Sequence, residues 1–452
     1  MDRIKTDSNE IFEIIEKLIE KEDWSVLKQI LIDIHPADLA EIVMRLDRNE
    51  RERVFENLGP ERAAEVLVEL DSPIRQDILK NINETRLVRI VGSMDSDDAT
   101  DIIGELEEDT AKRVLESMPS KEHHEVETLL VHDEETAGGI MALEIVAVNE
   151  EKTAHQALEE LRNKADEVED VYNIYVIDSK RRLKGVASLK DVVLADPQTR
   201  LSEIMDRDAV FIHHDMDQEE VANIFHKYNL VAAPVVDKEG RLIGRITVDD
   251  VLDVVEEEAS EDISLMAGIT DEEIRGRSIF RASGVRLPWL LIAFGGEIVS
   301  AVVMSHFKTS LNQIVASAFF IPLIMAMGGN TGMQSATVVI RGLATGDINL
   351  RDTGRRLFKE IGAVFLNGIV ISLLLFGVAV IWLQQPRFGL ILAVAMMSVL
   401  FNATFMGTMI PFLLKRLGVD PAIATGPFIT TSNDILGLVV YFGIMSIFFN
   451  WL

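Results

Sequence analysis

Five consecutive oxygen-bearing side chains, Thr430, Thr431, Ser432, Asn433 and Asp434, lie inside an otherwise apolar stretch near the C-terminus. Asp434 falls about ten residues into that stretch, close to the middle of a bilayer at about 1.5 Å per helical residue. An ionised carboxylate at that depth costs several kcal/mol, so it calls for a wet path or a cation. A second apolar stretch carries Gly328, Gly329, Asn330, Thr331 and Gly332. Such a run is expected to interrupt its helix and let backbone carbonyls, with Asn330, line a cavity. Glu297, about ten residues into another apolar stretch, is open to a packing or a functional role. The chain has no Cys. Oxygen ligands alone fit a hard cation such as Mg²⁺, Ca²⁺ or Mn²⁺ rather than zinc or copper.

The elements that position these groups divide sharply by charge. Residues 1–280 hold 68 Asp and Glu against 33 Lys and Arg, a net of −35; residues 281–452 hold 6 against 11, a net of +5. The first part is a water-facing acidic body, and the second belongs in lipid. So acidic a surface argues against nucleic acid, which is bound through Lys and Arg clusters. The absence of Cys excludes disulfides and thiolate chemistry. The first residues are polar and acidic, unlike a cleaved signal peptide.

Five stretches, 287–306, 313–340, 357–383, 388–413 and 424–449, are long and apolar enough to cross roughly 30 Å of hydrocarbon. Arg341, Arg351, Arg355, Arg356 and Lys359 follow the second, and Lys415 and Arg416 follow the fourth. The positive-inside rule then puts the N-terminus in the cytoplasm and the C-terminus outside, in a multi-pass cell (inner) membrane protein.

The acidic part contains two repeat systems. Leu46-Asp47, Leu70-Asp71, Met94-Asp95 and Met118-Pro119 recur every 24 residues, with apolar residues at helical spacing, as expected of a small helical solenoid. Farther on, VIDSKRRLKGVASLKDVV and VVDKEGRLIGRITVDDVL align so that Gly185, Ser188 and Asp191 match Gly244, Thr247 and Asp250. Each unit reads as strand, turn, strand and an Asp-initiated helix. This Gly-x-x-Ser/Thr-x-x-Asp pattern resembles a tandem pair of CBS domains. Such a resemblance implies an adenine nucleotide as a modulator, with Tyr172, Ser188, Lys190, Asp191, Tyr228, Val231 and Pro234 as candidate contacts; the alternative is a pair that only dimerises and transmits motion. Acids cluster at Glu65, Asp97, Asp98 and Asp101, at Asp215, Asp217, Glu219 and Glu220, and from Glu256 to Asp262. A run of acids is usually a solvated face. Packed near one another above a membrane, however, these would repel without cations and close with Mg²⁺ bridging them.

This order of parts, with GGNTGMQSAT (328–337) and LGVDPAIATGPFITTSND (417–434), resembles the MgtE family of magnesium channels. The implied fold is multi-domain: an all-α superhelical domain (1–132), an α/β tandem CBS pair (133–258, as 138–200 and 201–258), an acidic connecting helix (259–284) and a five-helix α transmembrane domain (285–452). The resemblance further implies a homodimer with its pore walled by the second and fifth spans. Asp434 would be the selectivity carboxylate, Asp420 would draw cations to the cytoplasmic mouth, and Gly426 would lie where the pore narrows. Regulatory Mg²⁺ ligands carry over to Glu65, Asp97, Asp101, Asp217, Glu219, Asp250, Glu258, Glu261 and Asp262. Asn229 and Asn173 depart from the family pattern, standing where a carboxylate and an adenine-stacking aromatic can occur. The expected function is a Mg²⁺-selective, non-enzymatic channel closed by cytosolic Mg²⁺. Its rivals are an exchanger coupled to Na⁺ or H⁺ and a nucleotide-sensing receptor without transport.

Overall fold

The computed structural model describes residues 8–165, 168, 171–267, 269, 279–308, 315–424 and 427–448. Two compact units meet in sequence at Val255 and Glu256.

In the first unit, helices α1 (Ser8–Glu20), α2 (Trp24–Asp33), α3 (Pro36–Arg45), α4 (Arg48–Asn57), α5 (Pro60–Val68), α6 (Ser72–Leu79), α7 (Glu84–Val91), α8 (Ser96–Gly104), α9 (Glu108–Ser117) and α10 (Ser120–Leu129) form the solenoid. Its 24-residue period is a pair of helices. Pro36 and Pro60 open α3 and α5, where a missing N–H costs nothing. The repeated second position is the N-cap of α4, α6, α8 and α10, held by Asp47, Asp71, Asp95 and Pro119. Asp47 completes a capping box with Glu50. The helices α3, α5, α7 and α9 stack in one row. That row buries Leu39, Val43, Val54, Val66, Leu67, Leu87, Ile90 and Val114 in a continuous core. Half-buried arginines tie the two helices of a repeat together: Arg51 of α4 donates to the carbonyls of Val43 and Met44 in α3 at 3.0 Å each, and Arg75 of α6, 24 positions later, donates to Val68 of α5 at 3.3 Å. These bonds go to carbonyls in the last turn of a helix, where intrahelical donors run out.

The α/β pair contains α11 (Ala154–Asn163), α12 (Leu189–Leu194), α13 (Leu201–Ile204) and α14 (Gln218–Tyr228) around two three-stranded sheets. In one sheet β1 (Ala147–Asn149) runs parallel to β2 (Asn173–Ile177), which pairs antiparallel with β3 (Leu183–Ser188). In the other, β4 (Ile212–His213), β5 (Ala232–Val236) and β6 (Leu242–Thr247) repeat that topology. Tyr175 opposes Val186 where Pro234 opposes Arg245, so the register is duplicated as well. The hairpin turns clasp each other, with Leu183 N–H on Gly240 O at 3.0 Å and Leu242 N–H on Arg181 O at 2.9 Å. The last helix, α15, runs unbroken over Val248–Ala267.

The second unit holds five helices long and apolar enough to span a membrane: α16 (Ile279–His306), α17 (Ala316–Ala344), α18 (Thr353–Leu383), α19 (Pro386–Arg416) and α20 (Pro427–Ile447). The most buried is α19, whose Phe388, Leu392, Ala395, Met396 and Val399 form the middle of the core. Tyr441 of α20, fully buried, donates its hydroxyl to Ser317 O at 2.8 Å.

The interruption expected at 328–332 is not there: α17 is continuous through it. Its glycines serve close packing instead. A Cβ on Gly328 would meet the Asn433 amide at 2.8 Å and Val399 at 3.0 Å, and one on Gly332 would meet Ile429 at 3.2 Å. Gly407 of α19 leaves no room for a Cβ against the Gly332 backbone. Missing side chains let α17, α19 and α20 approach one another as small residues do in membrane bundles.

Candidate functional site

Two sets of carboxylates emerge, one in each unit. The set in the first unit forms where α8 meets the α/β pair. Asp95 stands at the N-cap of α8 but makes no cap bond there. Oxygens of Asp95, Asp97 and Glu144 lie within 4.8 Å of one another. Glu144 reaches in from the segment before β1, accepting from Ser96 N–H at 3.2 Å and from Ser96 Oγ at 2.8 Å. It thus covers the start of α8, where a negative charge is favoured.

Asp250 completes the set from α15. Its Oδ2 accepts from Thr247 Oγ1 at 2.6 Å and from Thr247 N–H at 3.0 Å. Burial, then the charges of Asp250, Asp98, Asp95 and Glu144, hold Asp97 well above the usual carboxylate range. Asp98 is pushed up to about 7 by burial and by Asp250, Asp95, Asp101 and Asp253. For Asp250 burial is again the largest cause; its Thr247 hydrogen bonds pull the other way, and the result is about 6. Each direction says the same thing: this geometry favours a proton or a cation over bare charge. Three converging carboxylates with no nitrogen or sulfur ligand are a hard-cation donor set.

Of the sequence-derived regulatory residues, Asp97, Asp101 and Asp250 are therefore brought together. Glu65 is exposed and pairs with Arg62 at 2.5 Å. Asp217 caps α14, accepting from Glu219 N–H at 2.9 Å. Glu258, Glu261 and Asp262 sit half-buried along α15. Asp262 has its acidity weakened by burial and by Asp420, with Lys415 opposing. Asp420 itself accepts from Ala422 N–H at 2.8 Å, holding the turn before α20. Farther along α15, Leu265 and Met266 pack on Ala336, Ile340, Ala422 and Ile429, at the feet of α17 and α20. The sequence reading missed Asp95 and Glu144. Asp95 was visible as an in-register cap, and Glu144 as the lone acid in an apolar run.

In the membrane unit, Asp434 is half-buried and hydrogen-bonds the side chains of Glu297 and Asn433. Asn433 is wholly buried and reaches Met325 O at 3.4 Å. Asn330 is exposed on α17. Gly426 lies outside the described residues, as do 268 and 270–278 of the expected connecting helix.

The nucleotide candidates fall into two matching groups. Ser188 caps α12, donating to Asp191 Oδ2 at 2.6 Å, while Leu189 N–H bonds Tyr172 O at 2.9 Å. Val248 N–H likewise bonds Val231 O at 2.9 Å. Tyr172 and Tyr228 are 44% and 50% exposed and Lys190 is exposed; Pro234 is buried in β5.

A multi-pass bundle with a carboxylate inside it, joined to an acidic body with its own oxygen-only cluster, has the make-up of a membrane cation transporter. Residues 321–444 match the MgtE divalent cation transporter family, residues 34–135 the MgtE intracellular N domain, and residues 137–197 and 201–257 CBS domains. The chain belongs to the MgtE family of magnesium transporters. It is 43% identical over 326 residues to the magnesium transporter MgtE of Thermus thermophilus, covering 71% of each chain. To that of Enterococcus faecalis it is 35% identical over 331 residues, covering 73% of each. It is also similar to the crystal structure of the cytosolic domain of the Mg²⁺ channel MgtE in complex with ATP, at 40% identity and a TM-score of 0.52, covering 53% of this chain and 98% of that one. These relatives are named as transporters and not as enzymes.

Proposed function

We propose that the chain works as a homodimeric Mg²⁺-selective channel of the cell membrane, with a cytoplasmic N-terminus, closed by cytosolic Mg²⁺. The observation that carries the gating part is the meeting of Asp97 and Asp98 on α8 with Asp250 on α15, all three held more basic than free carboxylates. Mg²⁺ bridging this group, and the further acids Glu65, Asp101, Asp217, Glu219, Glu258, Glu261 and Asp262, stabilises the closed arrangement by mass action. Falling Mg²⁺ restores repulsion and releases α15. Seating of Leu265 and Met266 against α17 and α20 gives that helix a direct hold on the membrane bundle.

Conduction is assigned to Asp434, with Asp420, Asn330 and Gly426 along the same path. A focused negative field selects divalent ions. An adenine nucleotide fits as a modulator: Ser188 and Asp191 offer a hydroxyl and a carboxylate at a helix start, with exposed Tyr172, Lys190 and Tyr228 as partners, and Val231 and Pro234 in the second repeat. Mg²⁺ flux into proteoliposomes tests the reading. Flux lost in Asp434→Ala, with current linear in voltage and indifferent to Na⁺ and pH gradients, is the expected result. Dependence on either gradient makes the protein an exchanger, and absence of flux in the parent leaves a receptor.

A further inference from the structure

The first span supplies a group the pore reading does not use. Glu297 and Asp434 are the two acids set deep in the apolar stretches; Asp352 and Glu360 stand near the start of α18. Along the chain the nearest Lys and Arg to Glu297, Arg286 and Lys308, are 11 positions away on either side, and no Lys or Arg follows Arg416. Isolated from basic neighbours in sequence, each acid would be costly at such depth. Yet α16 and α20 bring them together. Trp289 sits edge-on to Phe428 at 6.2 Å, and a Cβ on Gly296 would run into Thr431. The numbering rises together through both contacts, so the two helices run in the same direction. The next groups along, the side-chain oxygens of Glu297 and Asp434, then come within hydrogen-bonding reach of each other. Beside them Asn433, wholly buried, bonds Asp434, while its Oδ1, without a hydrogen-bond partner, lies against Gly328 of α17.

We propose that Glu297 is a second selectivity residue, so that α16 and α20 hold a divalent cation, bare or hydrated, between two carboxylates. This rests on the reading that the ion path passes Asp434. Two carboxylates in contact bind a divalent ion with both charges, whereas a monovalent ion leaves one uncompensated. Affinity for hard divalent ions rises with the number of charged oxygens. Gly296 is the device that makes the approach possible. The substrate class is accordingly a small divalent cation, and the discrimination served is divalent over monovalent.

The test is flux and reversal potential of the full chain in proteoliposomes, comparing the parent with Glu297→Gln, Glu297→Asp, Gly296→Ala and Asp434→Asn. Glu297→Gln keeps shape and hydrogen bonding and removes one charge. It should raise the Mg²⁺ concentration for half-maximal flux about tenfold and lower Mg²⁺-over-K⁺ selectivity by a similar factor. Glu297→Asp should fall between, and Gly296→Ala, which keeps both charges but forces the helices apart, should shift selectivity the same way. Parent-like half-saturation and selectivity in Glu297→Gln, alongside a dead Asp434→Asn, overturn this inference and leave the pore reading standing. Parent-like conduction in Asp434→Asn removes the pore reading and this inference with it. Should Glu297→Gln aggregate, Glu297→Asp decides: parent-like selectivity there overturns the proposal, and an intermediate value upholds it.

Discussion

The carboxylates of the first unit and those of the membrane unit face the same electrostatic problem and answer it differently. Around α8 and α15 the acids are many, and hydroxyls and backbone N–H groups from Ser96 and Thr247 already hold Glu144 and Asp250 in place. In the bundle Asp434 has Glu297 and Asn433 for company and no cap to serve. Crowding suits a sensor, because each added cation cancels repulsion among several groups. Sparseness suits a path, because an ion that is bound must also leave. Loss of one acid should therefore be severe in the membrane and partial in the cytosolic cluster.

The largest expected effect is at Asp434. Asp434→Ala should cut Mg²⁺ flux by about a hundredfold or more, with the protein still folded, since a pore without its focused charge has little hold on a hydrated divalent ion. Flux at the parent rate would remove the distinction between the two sets. Next comes the cytosolic cluster. Replacing Asp97, Asp217, Glu258 and Glu261 together should leave the channel open at millimolar Mg²⁺, where the parent is shut. Fewer ligands mean weaker closure, although the same change also relieves repulsion in the Mg²⁺-free form. An unaltered Mg²⁺ response in patch recordings of the fourfold variant contradicts the sensor.

How much of this was legible in the sequence follows from the range of the interactions. The solenoid was visible because Asp47, Asp71 and Asp95 recur in register, and the α/β pair because Ser188 and Asp191 match Thr247 and Asp250. Asp434 was visible because a charge in an apolar run needs a reason. The run 328–332 misled, since glycine weakens a helix and also admits a neighbouring one; which effect wins depends on Asn433, Ile429 and Gly407, far away in sequence. The contact of Glu144 with Ser96 spans 48 positions. No local pattern announces it.

A smaller effect separates bridging from screening. At roughly 0.15 M salt, charges closer than about 8 Å still repel. Without Mg²⁺ the isolated residues 1–280 should be cut faster by protease near 130–138, where the solenoid joins the α/β pair. Mg²⁺ should protect where KCl of equal ionic strength does not. Equal protection by KCl reduces the cluster to an acidic surface.

The smallest effect concerns protons. Asp98 and Asp250 titrate near 7 and 6 when folded, above their ordinary value of 3.8, chiefly because they are buried. The folded state thus holds protons more tightly than the unfolded chain. The stabilisation this gives is complete below about pH 4 and disappears as pH rises through about 6 to 7. Metal-free residues 1–280 should accordingly melt a few degrees lower at about pH 8 than at about pH 5.5. Mg²⁺ takes the place of those protons, so it should raise the melting temperature more at the higher pH, where its ligands are already deprotonated. Asp98→Asn should flatten the metal-free profile, because a neutral amide has no proton to lose. Asp250→Asn should flatten it as well, since that carboxyl is also raised chiefly by burial. If the Asp98→Asn and Asp250→Asn variants keep a metal-free profile as steep as the parent's, the pH response does not belong to the cluster of α8 and α15.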